Sequence, residues 1–269
     1  YTARSVASML HLFGLVRKGN EPFVPYVVRM LLGIERGFRK HTNMDEYFAL
    51  ADQFKAGMAR PCDLHFVGVW DTVSSVGWIT NPLHLPFVSD NPSIAIGRHA
   101  IAIDERRAFF RSHLWRHGGG KEHGPRDVKQ VWFPGAHGDV GGGYPEAESG
   151  LSKIALQWML AEAMAAGLKV DRAKTEQMLG ASGSSHSKPD PHAKRHRSLK
   201  GWWHIAEFVP KMNYTWATRR RRPRMNLYRR RTIDAGAHVH SSAFERAHYA
   251  SSLPRDAVQV TTPPLFPQG

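Results

Sequence analysis

The chain has 269 residues, 42% of them apolar, enough for a packed core in one large domain or two small ones. The single cysteine, Cys62, excludes an internal disulfide framework and a cysteine-based zinc knuckle, and no run of about 18 apolar residues marks a membrane-spanning helix. The formal net charge of +14 is uneven: residues 188–231 hold 14 Lys and Arg against Asp190 and Glu207, which leaves the rest close to neutral and points to a local anionic contact.

Residues 1–13 (YTARSVASMLHLF) carry Val6, Met9, Leu10 and Phe13 at helical spacing, with Gly14 as a stop. Residues 26–38 and 44–58 also read as helices, the second capped by Thr42 or Asn43. LHFVGVW at 64–70 is a dense apolar run that suits a buried parallel strand and ends at Asp71. Residues 101–115 (IAIDERRAFFRSHLW) read as a helix. VKQVWF at 128–133 is a second strand, followed by Pro134-Gly135-Ala136-His137-Gly138-Asp139-Val140 and three glycines, Gly141 to Gly143. Residues 151–166 form the clearest amphipathic helix, ended by Gly167. The segment 181–198 reads as an exposed loop, 201–210 (GWWHIAEFVP) is aromatic and apolar, and the tail from 251 to 269 is expected to be extended. The expected organisation is one domain over 1–250, with a basic aromatic segment at 188–233, and a tail.

Strands alternating with helices indicate an α/β fold. Two strands cannot cover so many helices, so further strands, and the one that feeds the opening helix, are expected before Tyr1. In open α/β sheets the reactive groups stand beyond the carboxyl ends of the strands. Asp71 follows one such end and His137 another, so the two would form a carboxylate-oriented histidine base if their strands were neighbours. The competing reading makes Asp71 a turn cap and His137 an exposed loop residue. The nucleophile of a triad needs a strand-to-helix elbow, Gly-x-Ser-x-Gly, and no such pentapeptide occurs in the 269 residues.

These motifs resemble the catalytic domain of the Tle1-like phospholipase effectors of type VI secretion, an α/β-hydrolase family formerly described as a domain of unknown function. The resemblance rests on YTARSVA at the start, GVWDTVSSVG at 68–77, IDERRAFF at 103–110, VWFPGAHGDVGGGY at 131–144, LSKIALQWML at 151–160 and GWWHIAEFVP at 201–210. At 240–242 the family's His-Pro-Ser is replaced by His240-Ser241-Ser242. The resemblance implies a partial α/β-hydrolase sheet and a serine-type lipid or phospholipid ester hydrolase. Its serine elbow would lie immediately before Tyr1, and residues 1–269 alone would then be inactive. It makes Asp71 the triad carboxylate and His137 the base. Asp139 is an alternative acid or a loop-orienting group, and His240 an alternative base. It also implies a lipid substrate, a secretion-system context, no cofactor, and a protein made in the cytoplasm and delivered to a target cell.

The basic segment offers an anionic-lipid contact through Arg219, Arg220, Arg221, Arg222, Arg224, Arg229, Arg230 and Arg231, beside Trp202, Trp203, Phe208, Tyr214 and Trp216. The alternatives are an inert solvated face or a nucleic-acid grip, with arginines on phosphates and aromatic rings on bases. His113 with His117, and His238 with His240, are spaced as metal ligands could be, but no HExxH accompanies them; no metal is expected.

Overall fold

The computed structural model describes residues 1–40, 45–73, 77–78, 81–82, 85–115, 124–181, 183–215 and 220–266. The first elements are helix α1 (Thr2–Phe13), strand β1 (Leu15–Val16), helices α2 (Val24–Lys40) and α3 (Asp45–Met58), and strands β2 (Ala59–Arg60), β3 (Leu64–Trp70), β4 (Gly77–Trp78) and β5 (Asn81–Pro82). Strands β6 (Ile94–Ala102) and β7 (Asp127–Phe133) follow, then helices α4 (His137–Gly141), α5 (Gly150–Ala165), α6 (Arg172–Met178) and α7 (Trp203–Ala206). A hairpin of β8 (Lys211–Thr215) and β9 (Arg220–Arg224), strand β10 (His238–His240), helix α8 (Ser241–Phe244) and strand β11 (Val258–Val260) complete the order.

Contacts divide the chain into two compact units. The first comprises Tyr1–Val69, Ser74–Arg98 and His113–Lys129; the second comprises Trp70–Val73, His99–Ser112 and Gln130–Gly269. In the first unit α1 buries Ala7, Leu12 and Phe13 and leaves Val6 exposed, so its inward face is turned slightly from the Val6–Met9–Phe13 stripe. Leu12 and Phe13 join Val27, Leu31 and Ile34 of α2 and Ala51 of α3 in one apolar cluster. Gly14 ends α1 at a φ of 73°, where a side chain would be strained and a Cβ would sit 2.5 Å from the Arg60 carbonyl oxygen.

The main sheet has the order β11-β10-β7-β6-β3. The pairs β10/β11 and β10/β7 are parallel. The amide of Leu64 bonds Ser93 and that of Asp71 bonds Ala100, while Arg126 bonds Ile94 and Ile103 bonds Phe133, so β3, β6 and β7 also run in one direction. The α/β expectation therefore holds. Three of the strands sought upstream, β6, β10 and β11, lie in the chain itself, the last giving the tail at 258–260 a parallel partner in β10.

Residues 101–115 are not a helix. Ile94–Ala102 is a strand, and 103–115 leave it as a loop. Residues 97–102 of that strand are all buried, so its run has no period-two alternation and looks like one face of a helix in a short window. Because β6 lies between β3 and β7, the strands before Asp71 and His137 are not neighbours.

In the second unit α5 buries Leu151, Ile154, Ala155, Trp158 and Met159. The Trp158 ring is fully buried, 5.4 Å from Phe133 of β7. Among the described residues no helix is long and apolar enough to cross a membrane. Trp158→Ala is expected to cost about 3–5 kcal/mol, as buried aromatic-to-alanine changes do, read as a lower urea midpoint by circular dichroism.

Candidate active site

Asp71 follows the last residue of β3 in the second unit, with φ at 36°, a left-handed conformation that a non-glycine side chain rarely adopts. Its carboxylate is fully buried. The Oδ1 atom accepts the Ala102 amide at 2.9 Å, across the end of β6. The Oδ2 atom accepts Nδ1–H of His137 at 2.7 Å. The Arg231 guanidinium donates to both oxygens, at 2.5 Å to Oδ1 and 3.1 Å to Oδ2. Burial opposes ionisation, but Arg231 and the His137 hydrogen bond outweigh it and hold the carboxyl well below the usual carboxylate range. The loops that leave β3 and β7 thus meet over the end of β6, although the strands themselves do not touch.

His137 opens α4, just beyond the carboxyl end of β7. An ionised carboxylate can only accept, so the proton on Nδ1 is fixed and the neutral ring presents Nε2 as an acceptor. The ring is one-third exposed and packs edge-on to Phe110 at 5.1 Å. Its backbone amide donates to Glu105 Oε2 at 3.3 Å. Glu105 also accepts the amide and guanidinium of Arg107 and the Ser198 hydroxyl. Arg107 lies over the Phe110 ring at 3.4 Å. One buried carboxylate therefore sets both the backbone of His137 and the platform beneath its ring.

Asp139 orients the loop. Its Oδ2 accepts the amides of Ala136 at 2.8 Å and His196 at 3.0 Å, and its Oδ1 contacts His196 Nδ1 at 2.6 Å. Gly135 is required beside it: at a φ of 106°, a Cβ there would lie 2.4 Å from the Asp139 Cβ. His196 bridges on to Glu148 Oε2 and stacks on Tyr144. Burial disfavours its charge, but Glu148 and Asp139 more than offset this and raise its pKa. Beside α4 a cavity of about 380 Å³ is lined by Trp70, Gly141, Gly142, Gly143, Tyr144 and Lys153.

His240 is in another place. It lies buried at the end of β10, stacked on Phe133, with Nδ1 at 2.8 Å from Ser242 Oγ and Nε2 at 2.9 Å from Thr262 Oγ1. Both ring nitrogens are engaged away from Asp71. Arg231, expected on an anionic surface, is a correction: its side chain is only 8% exposed and pairs with Asp71, because a buried carboxylate needs a counter-charge more than a surface needs one more cation. Arg229 and Arg230 are exposed. Arg116, His117, Trp216 and Arg219 lie outside the described residues. Arg220, Arg221, Arg222 and Arg224 form β9. Among the described residues no three His, Cys, Asp or Glu side chains come together as a metal site. Sequence reasoning missed Arg231 as a counter-ion and did not single out His196 or Glu105. The charge run hid the first, and nothing in the local pattern around the other two shows what they touch.

Comparison with known proteins agrees with the motifs. The model of the T6SS phospholipase effector Tle1-like catalytic domain matches residues 1–162, and the chain belongs to that family. A stretch of 114 residues, 41% of the chain, is 50% identical to the uncharacterized protein YEL023C of Saccharomyces cerevisiae and covers 16% of it. A crystal structure of an uncharacterized protein from Pseudomonas aeruginosa is similar over 48% of this chain and 24% of its own, at 26% identity and a TM-score of 0.34. The chain therefore spans about a sixth of the yeast relative and about a quarter of the bacterial one. Asp71 and His137 fall inside the family match; His196, Arg231 and His240 fall beyond it.

Burial pushes His240 down to about 4 from an ordinary 6.5. The ring is neutral when folded and titrates normally when unfolded. Its stabilising contribution is thus complete above pH 6.5 and is lost as pH falls towards 4, by about 3 kcal/mol. The expected result is that His240→Gln flattens the fall in urea midpoint between pH 7 and pH 4.5.

Proposed function

We propose that the chain supplies the acid and base of a serine-type hydrolase acting on lipid or phospholipid esters. The observation that carries this reading is the 2.7 Å contact between His137 Nδ1 and the buried Asp71 carboxylate, at the carboxyl end of a parallel sheet. In this mechanism His137 Nε2 takes the serine hydroxyl proton as the oxygen attacks the ester carbonyl. The same nitrogen then returns the proton to the leaving alcohol. Water, deprotonated by His137, releases the fatty acid from the acyl-serine. Asp71 holds the tautomer and offsets the imidazolium charge. Residues 1–269 contain no Gly-x-Ser-x-Gly elbow, so in this reading they contribute the acid–base half of the chemistry.

The same unit offers a lipid-facing surface. Trp202 is 85% exposed, and Ile205, Phe208, Met225 and Leu227 are exposed with it. Arg229 and Arg230 follow on the same stretch, charge that suits acidic headgroups. Trp203, next to Trp202, packs on Phe110 at 5.5 Å, and Phe110 packs on His137. Two rings, Trp203 and Phe110, thus stand between the exposed Trp202 and the proposed base.

Two experiments test this reading. The first assays the natural full-length protein and residues 1–269 side by side on a phospholipid. Full-length turnover is expected to fall about 10³-fold or more with His137→Gln or Asp71→Asn, and residues 1–269 are expected to stay at background. Turnover that survives His137→Gln would remove the base from the mechanism. The second is sedimentation with neutral and acidic vesicles at low and high salt. Trp202→Ser with Ile205→Ser should weaken binding to both vesicles, and Arg229→Gln with Arg230→Gln should weaken only the acidic case. Tighter retention on duplex or single-stranded DNA at matched salt would favour nucleic acid as the partner.

A further inference from the structure

We propose that Arg231 is a positioning residue for the Asp71–His137 pair: it locks the carboxylate in its left-handed turn and neutralises part of its charge, so that His137 accepts its proton less readily than beside an uncompensated aspartate. The inference rests on the acid–base reading above, but its main readout requires no turnover.

Arg231 is held from four sides. Besides both Asp71 oxygens it donates through Nη1 to the Ala102 carbonyl at 2.8 Å and through Nη2 to the Phe110 carbonyl at 2.5 Å. Those two carbonyls belong to the end of β6 and to the ring platform under His137. The segment that delivers it is specifically bent. Leu227 and Tyr228 are both left-handed, with φ at 50° and 61°. The fully buried Glu207 stabilises that bend, its carboxylate accepting the Tyr228 amide at 2.9 Å and the Asn226 side chain at 2.6 Å. Its other oxygen accepts the Ala108 amide at 2.6 Å, two residues before Phe110. One carboxylate thus fixes both the segment that brings Arg231 in and the loop that receives it.

Neutral donors could also hold Asp71 in place. A guanidinium does so while cancelling charge, which matters to the imidazolium that forms when His137 takes a proton. The other charged groups around His137 are already engaged elsewhere. Glu105 accepts the His137 backbone amide but is paired with Arg107, and Asp139 faces His196. On the ring side stands Phe110, which is uncharged. The charge that reaches the Nδ1 edge is therefore that of Asp71 as modified by Arg231.

The test follows the His137 ring resonances by NMR through a pH titration of residues 1–269, with the signals assigned by their loss in His137→Gln. In Arg231→Gln the titration midpoint is expected to rise by about one pH unit or more. In Arg231→Lys, which keeps a point charge, it should return to within about half a unit of the parent. In the full-length enzyme the acid limb of kcat/KM should move with the midpoint, while Arg231→Lys recovers the limb but not the full rate, because an ammonium lacks the two-pronged fork. A folded Arg231→Gln chain with an unmoved midpoint would overturn the proposal, as would a lysine variant that titrates like the glutamine one. If Arg231→Gln does not fold, adding Asp71→Asn should restore folding, since the bare buried carboxylate is then gone; persistent misfolding of the double variant counts against the proposal. A shifted midpoint in a protein without esterase activity would sink the hydrolase reading alone. An unshifted midpoint with His137-dependent turnover would sink only the role of Arg231.

Discussion

A single buried negative charge, the carboxylate of Asp71, organises the loops beyond the carboxyl ends of β3, β6 and β7. An isolated carboxylate is costly to bury unless hydrogen bonds and a counter-charge replace its water. Here the replacement comes from three separate parts of the sequence: the Ala102 amide at the end of β6, the His137 ring after β7, and the Arg231 guanidinium far along the chain. Satisfying one group therefore draws together loops that adjacent pairing in the sheet would keep apart. The left-handed backbone at Asp71 is sustained by these contacts, because releasing it would leave a charge, a ring and a guanidinium without their partners.

The same device recurs around it. Glu105 ties the His137 amide to Arg107 and Ser198, and Asp139 ties the loop after β7 to His196. Glu207 ties the 106–110 loop to the 226–228 turn. Asp104 accepts the Gly135 amide, the Tyr249 hydroxyl and Arg195. Each is an acceptor-only side chain with two oxygens, which suits it to join the amide of one loop to a donor on another. Loops carry few apolar contacts of their own, so their placement depends on such polar ties. Apolar burial holds the strands, and the carboxylates hold the loops beyond them.

This division explains what was legible in the sequence. LHFVGVW and VKQVWF stand out as strands because burial leaves a dense apolar run with a polar stop, and those stops lead to Asp71 and His137. The strand at Ile94–Ala102 fails the same reading, because its apolar residues run on without a break into IDERRAFF. The three-residue strands β10 and β11 are too short to carry any period. Arg231 looks in the sequence like its exposed neighbours Arg229 and Arg230, since a run of like charges contains no mark of which member turns inward. The mark lies in the left-handed turn at Leu227 and Tyr228 and in Glu207, 24 positions before Arg231, and neither Leu nor Tyr signals a left-handed backbone.

The counter-ion also bears on how a charged segment is to be read. Residues 188–231 hold most of the net positive charge, yet Arg195 pairs with Asp104, Lys194 with Glu148 and Arg231 with Asp71. Part of the excess is therefore the internal complement of acids elsewhere in the chain, and formal charge overstates what a partner meets. Among the described residues Lys188, Arg197, Lys200, Arg229 and Arg230 stay exposed, the last two on the same stretch as the exposed Leu227. That stretch shares a segment with the guanidinium that holds Asp71, and Trp203, next in sequence to the exposed Trp202, reaches His137 through Phe110. In this arrangement one stretch of chain presents apolar and cationic groups outward and delivers the counter-charge of the proposed acid inward, so the proposed lipid-facing surface and the proposed acid–base pair depend on the same backbone.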